Sequence, residues 1–142
     1  MTPDRVRGGL RIAGYAALFD VADGARDTIR PGAFRRTLAE RRDPIPLYWQ
    51  HRPDQRIGTV DAIAEDAKGL RVVASIDNPG SRAVSALLGK AVNGLSFGYR
   101  ARGFHRSPAE AGGGRVLEDI DLFEVSLVTH PLQHGARVHL IA

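Results

Sequence analysis

The sequence predicts a mainly β, α+β domain: a compact antiparallel β barrel or sandwich with about two flanking helices. Three observations lead there. Sixteen glycines and eight prolines punctuate short runs rich in β-branched and aromatic residues, the pattern of a strand-dominated chain. Only two stretches carry the apolar spacing of a helix. The 142 residues, 43% of them hydrophobic, suffice to bury one core and not two. Residues 1–142 therefore read as a single domain, and no internal repeat divides it.

Taken in order, a first strand runs from Leu10 to Phe19, followed by a polar loop from Asp20 to Arg30 that closes on Pro31-Gly32. Ala33 to Arg41 places Phe34 and Leu38 at i, i+4, which predicts a short helix. Ile45 to Gln50 is a strand that Pro44 and Pro46 assign to an edge or an entry position. Ile57 to Ala64 and Leu70 to Ile76 form a strand pair across the turn Glu65 to Gly69. Ser81 caps a second helix with Val84, Leu87, Leu88 and Ala91 on one side, stopped by Asn93-Gly94. Leu95 to Phe104 and Val116 to Thr129 are strands joined by the Gly112-Gly113-Gly114 loop, and Pro131 ends the last ladder.

Composition removes several function classes. The chain has no cysteine, which excludes disulfides, thiolate zinc sites and a cysteine nucleophile. Neither a phosphate-cradling glycine loop nor a dinucleotide fingerprint occurs. No apolar run approaches the ~18 residues of a membrane span. The start MTPDRVRGGLRI lacks the order of a secretory signal, so the chain reads as intracellular. Net charge is +4 and the pI about 10.1, and of the 20 basic residues only Lys68 and Lys90 are lysine. The arginines are scattered among acids, so they read as solvated surface and not as a phosphate-tracking stripe.

Three residues have chemistry worth weighing. His51 ends the apolar run Leu47-Tyr48-Trp49-Gln50 just before the loop Arg52-Pro53-Asp54-Gln55, where a ring with two usable nitrogens can overhang a groove. A surface loop histidine is the plainer alternative. Ser96 lies in Gly94-Leu95-Ser96-Phe97-Gly98, with glycines that leave room for a substrate backbone. A strand follows where a nucleophile elbow would have a helix, and a lone serine without a base is inert. Glu124 stands in the apolar run Ile120 to Val128, sharing a face with Ser126 by alternation, while Phe123, Val125 and Leu127 take the other. A buried carboxylate there needs a partner, such as the second nitrogen of an imidazole. An exposed position on a solvated sheet face is the alternative. The same alternation turns Asp119 and Asp121 away from Glu124. His130 and His134 have a helical metal-pair spacing, but Pro131 and Gly135 argue against a helix.

The ordered set Pro31-Gly32-Ala33-Phe34, Tyr48-Trp49-Gln50-His51 with Ile57-Gly58, Gly69-Leu70, Gly94 to Tyr99, and Asp121 to Thr129 before Pro131 resembles the prohead proteases of HK97-type tailed phages. The resemblance covers about Gly14 to Val138. Similar proteins occur in gene transfer agents, and the family is similar in fold to the herpesvirus assembly proteases. The resemblance implies a serine endopeptidase that cleaves scaffold or N-terminal segments of the major capsid protein inside an assembling prohead in the host cytoplasm. It implies His51 as base, Ser96 as nucleophile and Glu124 as the third member, in place of a herpesvirus histidine. Oxyanion donors would come from Leu132, Gln133, His134 and Gly135. It further implies no metal or organic cofactor, no nucleic-acid or membrane partner, and modest homodimerisation. Relatives often carry Asn-Pro after the final proline where this chain has Leu132-Gln133-His134, and the chain ends soon after the last strand. The opposing reading is a non-enzymatic β component of a phage-like capsid or tail.

Overall fold

The computed structural model describes residues 10–108 and 113–140. Among the described residues, eight strands and two short helices follow one another as β1 (Leu10–Leu18), β2 (Thr28–Ile29), α1 (Arg35–Glu40), β3 (Pro46–Trp49), β4 (Arg52–Glu65), β5 (Gly69–Ile76), α2 (Arg82–Leu88), β6 (Gly94–Arg106), β7 (Arg115–Val128) and β8 (Val138–Leu140). Neighbours in the sheet run β6-β7-β3-β4-β5-β1-β8, with β2 also on β7. The ends of that order meet at a bridge between Gly94 and Arg137. There Leu95 N–H donates to Ala136 O and Val138 N–H to Asn93 O, each at 2.9 Å. A curved sheet joined to itself in this way is a barrel, and its interior holds Ile12, Leu47, Leu70, Leu95, Ile120 and Leu127, all at most 1% exposed.

The sheet is mixed, which refines the antiparallel expectation: β2 and β3 both pair with β7 in parallel. They occupy opposite ends of one β7 edge, and α1 fills the gap between them. Ile120 N–H donates to Ala33 O and Leu122 N–H to the Thr37 hydroxyl, at 3.0 and 3.1 Å. Arg41 donates to Leu122 O at 3.0 Å. The helix and the residues at its two ends thus satisfy a strand edge that would otherwise bury unpaired backbone. The Pro31 to Phe34 turn feeding α1 is itself held by the Glu65 carboxylate, which accepts from Gly32 N–H and Phe34 N–H, both at 2.8 Å. Phe34 is thereby driven fully into the core and meets Phe97 edge-on at 5.4 Å.

Several boundaries differ from the sequence expectation for identifiable reasons. β2 falls within the predicted polar loop, because two residues become a strand only by pairing with Val116 and Leu117. β8 has no local signal in the sequence either, since its pairing with β1 is equally non-local. β4 begins at Arg52 where a loop is predicted, yet the ladder skips from Trp49–Arg52 to Tyr48–Arg56, so Pro53, Asp54 and Gln55 bulge out of it. Ser81 caps α2 as expected, accepting from Val84 N–H at 3.3 Å. The helix stops earlier, however, at Gly89 and the left-handed Lys90 (φ 59°). Gly94 instead opens β6, where a Cβ would meet Pro131 Cδ at 2.7 Å. Leu88, expected on the apolar side, is 60% exposed. The tip of the β6–β7 hairpin, including Gly112, lies outside the described residues.

Beside the core, Asp27 ties the entrance of β2 to both long strands. Its carboxylate accepts from Arg115 at 2.7 and 3.1 Å and from the Tyr99 hydroxyl at 3.0 Å. The Arg115 guanidinium holds the Asp27 carboxyl below its ordinary range. Burial, and then the hydrogen bond to Asp27, push the Tyr99 phenol up to about 12.

Candidate active site

β7 supplies the floor of the site. Its register sets Tyr48 of β3, Ser126 of β7 and Ser96 of β6 side by side in one row across three strands. The next row on the same face pairs Gly98 with Glu124. Rows of the other parity, Leu47–Val125–Phe97 and Trp49–Leu127–Leu95, enter the core. Alternation along these strands is what separates a polar floor from an apolar interior.

Gly98 has a definite reason to be glycine. A Cβ at that position would sit 2.5 Å from Glu124 Oε1 and 2.9 Å from its Cγ. The glycine after the candidate nucleophile clears space for a carboxylate, not for a substrate backbone as the sequence suggests. Glu124 is 7% exposed and Ser126 0%.

His51 reaches this floor from the tip of the β3–β4 hairpin. Trp49 and Arg52 pair across a two-residue turn, Gln50-His51, and both turn residues are left-handed, at φ 51° and 61°. Two consecutive positive φ values are what a type I′ hairpin turn requires, and Asn-Gly is its usual sequence. A residue with a Cβ loses roughly 1–2 kcal/mol there, so the turn must be held from outside. It is held by β7. Gln50 N–H donates to Leu127 O at 3.0 Å, and His51 N–H to Ser126 Oγ at 3.1 Å. The Gln50 side chain donates to Thr129 Oγ1 at 2.7 Å and accepts from Thr129 N–H at 3.2 Å.

The ring completes the arrangement. His51 Nδ1 and Glu124 Oε1 are 2.6 Å apart. An ionised carboxylate only accepts, so in the pairing of a carboxylate with a neutral ring Nδ1 is the donor and Nε2 is left with the lone pair. The other carboxylate oxygen, Oε2, accepts from the Ser126 hydroxyl at 2.5 Å. Among the described residues, neither His51 Nε2 nor Ser96 Oγ makes a hydrogen bond. The ring is 43% exposed and Ser96 is 4% exposed. Every fully buried side-chain nitrogen or oxygen has a partner, so the unbonded Ser96 oxygen is one that solvent reaches. The arrangement is an imidazole tied to a carboxylate on a pinned turn, with an unbonded hydroxyl in the row beneath it.

The structure therefore joins His51 to Glu124 and sets Ser96 one strand away. It also corrects the placement of the neighbouring acids. Gly98 pairs with Glu124 but Tyr99 with Leu122, so Phe123 is an extra residue in β7. This bulge flips the alternation. Phe123 leaves the core face and is 51% exposed. Asp121 pairs with Arg100, two residues along β6 from Gly98, and so shares the face of Glu124 instead of opposing it. It stays out of the site because Arg36 and Arg100 hold it at 2.6 and 2.8 Å. Its carboxyl is kept below its ordinary range chiefly by Arg36.

The Leu132 to Gly135 segment flanks the start of β6, one residue before Ala136 receives the Leu95 N–H. Gln133 is buried at 4% exposure. Its amide is spent on Leu18, accepting from N–H at 2.5 Å and donating to O at 2.9 Å, and on Val21 O at 3.2 Å. Leu132, His134 and Gly135 are exposed. His130 and His134 do not lie on a helix, and no group of three potential metal ligands occurs among the described residues. Ser126, Gln50 and Thr129 were not singled out as site residues in the sequence. The usable signal was a serine two places after a glutamate inside an apolar strand.

Known proteins show the same architecture. The protease of varicella-zoster virus superposes with a TM-score of 0.62 at 22% identity, covering 93% of this chain and 64% of that one. The bacteriophage T4 capsid assembly protease gives 0.64 at 12% identity, covering 84% of this chain and 81% of that one. In sequence, the prohead protease of Enterobacteria phage HK97 is 30% identical over 130 residues, and the capsid polyprotein of Pseudomonas phage PAJU2 is 30% identical over 125. Those alignments take in 88% and 82% of this chain but 57% and 18% of the relatives, so the chain spans little more than half of the first and a fifth of the second. The family model for the caudovirus prohead serine protease matches residues 2–142. With nearly its whole length inside that model, the chain belongs to the caudovirus prohead serine protease family.

Proposed function

We propose that this chain is a serine endopeptidase of capsid maturation, with Ser96 as nucleophile, His51 as general base and Glu124 as the residue that orients the ring. The observation that carries the reading is the 2.6 Å contact between His51 Nδ1 and Glu124 Oε1 on a left-handed turn. A purely structural barrel component has no reason to keep a strained histidine turn tied to a buried carboxylate. This weighs against the non-enzymatic reading.

In the proposed reaction Ser96 Oγ attacks the scissile carbonyl carbon while its proton passes to His51 Nε2. Glu124 stabilises the imidazolium so formed. The carbon–nitrogen bond then breaks, the amine leaves with the proton from Nε2, and water releases the acyl group from Ser96 by the same steps. Catalytic contacts of this kind commonly tighten only when substrate is bound. Backbone N–H groups of Leu132, Gln133, His134 and Gly135 are the proposed oxyanion donors, each worth about 3–4 kcal/mol when preorganised. Support comes from the anchoring of Gln133 to Leu18 and Val21, which fixes that loop beside the start of β6. The chemistry calls on no metal or organic cofactor.

The substrate we propose is the major capsid protein or its scaffold segment, met inside the assembling shell. Crowding there favours modest self-association of the protease. Co-expression with the cognate capsid protein tests the reading. Ser96→Ala, shown folded by circular dichroism, should lower processing by at least ~10³-fold. Normal processing by that folded variant would overturn the assignment.

A further inference from the structure

We infer that Ser126 is a positioning residue for the proposed catalytic pair, acting on the acid and the histidine at once. The inference rests on the catalytic reading above and adds to it a residue outside the three already named. Ser126 is wholly buried in a strand where its neighbours Val125 and Leu127 are apolar and equally buried. A hydroxyl at such a position costs free energy unless its proton and its lone pair are both engaged. Here both are. The proton goes to Glu124 Oε2 at 2.5 Å, and the oxygen receives the His51 backbone N–H at 3.1 Å.

These two bonds address different freedoms. Without the first, the Glu124 carboxylate could turn about its last side-chain bond and leave Nδ1. Without the second, the His51 peptide loses the contact that opposes relaxation of its left-handed φ of 61°. One oxygen atom therefore couples the direction of the carboxylate to the backbone that carries the ring. Gln50 and Thr129 hold the adjacent residue of the turn, but neither touches Glu124. Ser126 alone among the described residues hydrogen-bonds to both partners. It also faces Ser96 in register, yet its hydroxyl already holds two bonds, which distinguishes it from the unbonded Ser96.

The test uses the full chain, diisopropyl fluorophosphate as the serine-directed probe, and nitrogen-15 NMR of the His51 ring. Labelling joins a serine oxygen to phosphorus and expels fluoride, with the serine proton going to His51. Ser126→Ala should slow labelling of Ser96 by about 100-fold, the effect of a small misplacement of reacting groups. It should also weaken the downfield Nδ1 proton signal and mix the ring tautomers. Ser126→Cys keeps the volume and loses the strong hydrogen bonds, so it should behave alike even if the alanine variant folds poorly. Labelling within twofold of the parent, with an unchanged Nδ1 signal in either folded variant, would overturn the inference. So would mass-spectrometric recovery of the phosphoryl group on Ser126. Undiminished labelling of a Ser96→Ala chain at another residue would instead sink the catalytic reading, while the ring spectra would still report on Ser126.

Discussion

Two stretches of β7, Asp119 to Asp121 and Glu124 to Ser126, carry acids to the same sheet face and use them in opposite ways. Asp119 and Asp121 share the Arg36 guanidinium, which lies 3.0 and 2.6 Å from them. Asp121 also faces Arg100 at 2.8 Å and Arg102 at 3.6 Å. Glu124 has no arginine or lysine within bonding distance among the described residues; its partners are a ring and a hydroxyl. A carboxylate clamped by permanent cations fastens α1 to the sheet and has nothing left to give. One held by a ring and a hydroxyl is, in the proposed mechanism, left to stabilise the imidazolium that forms during the reaction. What separates the two uses is a single inserted residue, Phe123, and the arginine-bearing helix that covers the strand edge beside it.

Glu124→Gln and Asp121→Asn break the comparison most directly. The first should lower cleavage of the proposed capsid substrate by about 10³–10⁴-fold, since it no longer favours the tautomer with a free Nε2. The second should stay within a factor of about three. Steady-state rates on both folded variants, with His130→Ala as a third, decide it. A larger loss for Asp121→Asn would exchange the roles of the two stretches. Gly98→Ala sharpens the contrast from the other strand. Its Cβ would sit 2.5 Å from Glu124 Oε1, so activity should fall about 100-fold while α1 and its arginine contacts persist. Unchanged kinetics would mean that the carboxylate can stand elsewhere.

The smallest effect concerns acid stability. Asp121 and Asp27 have folded-state carboxyl pKa values depressed by their arginines. Their contribution is present above the unfolded value near ~4 and is lost as pH falls through the lower folded values. Asp121→Asn and Asp27→Asn should therefore melt lower than the parent at pH 7 and lose less Tm on acidification from pH 5 to pH 2. Calorimetric scans with parallel pH dependence in parent and variants would contradict the assignment of these pairs to stability.

Much of this was legible in the residues, and the failures share a cause. Long strands announce themselves by burial pattern, and both helices by spacing and by the Ser81 cap. The barrel with two helices was recovered on that basis. The ordered motifs pointed to His51, Ser96 and Glu124, and the structure joins two of these directly. Alternation assigned Asp121 to the wrong face because a bulge has no signature in an apolar run; Phe123 looks like any core phenylalanine. The hairpin turn was hidden because Gln50-His51 lacks the Asn-Gly signature, its conformation being imposed by β7 and not by local preference. β2 and β8 exist only through distant partners. Local signals thus defined elements, while tertiary hydrogen bonds decided where the acids face.

The parallel pairing of β3 with β7 has a kinetic consequence. His51 and Glu124 are 73 residues apart along the chain, and the turn that aims the ring relaxes unless β7 is already in place. Closing so long a loop comes before any contact rewards it, and topologies dominated by such pairings fold in about milliseconds to seconds. A nascent chain still lacking β7 holds both the histidine and the serine without the means to orient either. Synthesis order thereby delays assembly of the proposed catalytic site until β7 has been made and docked.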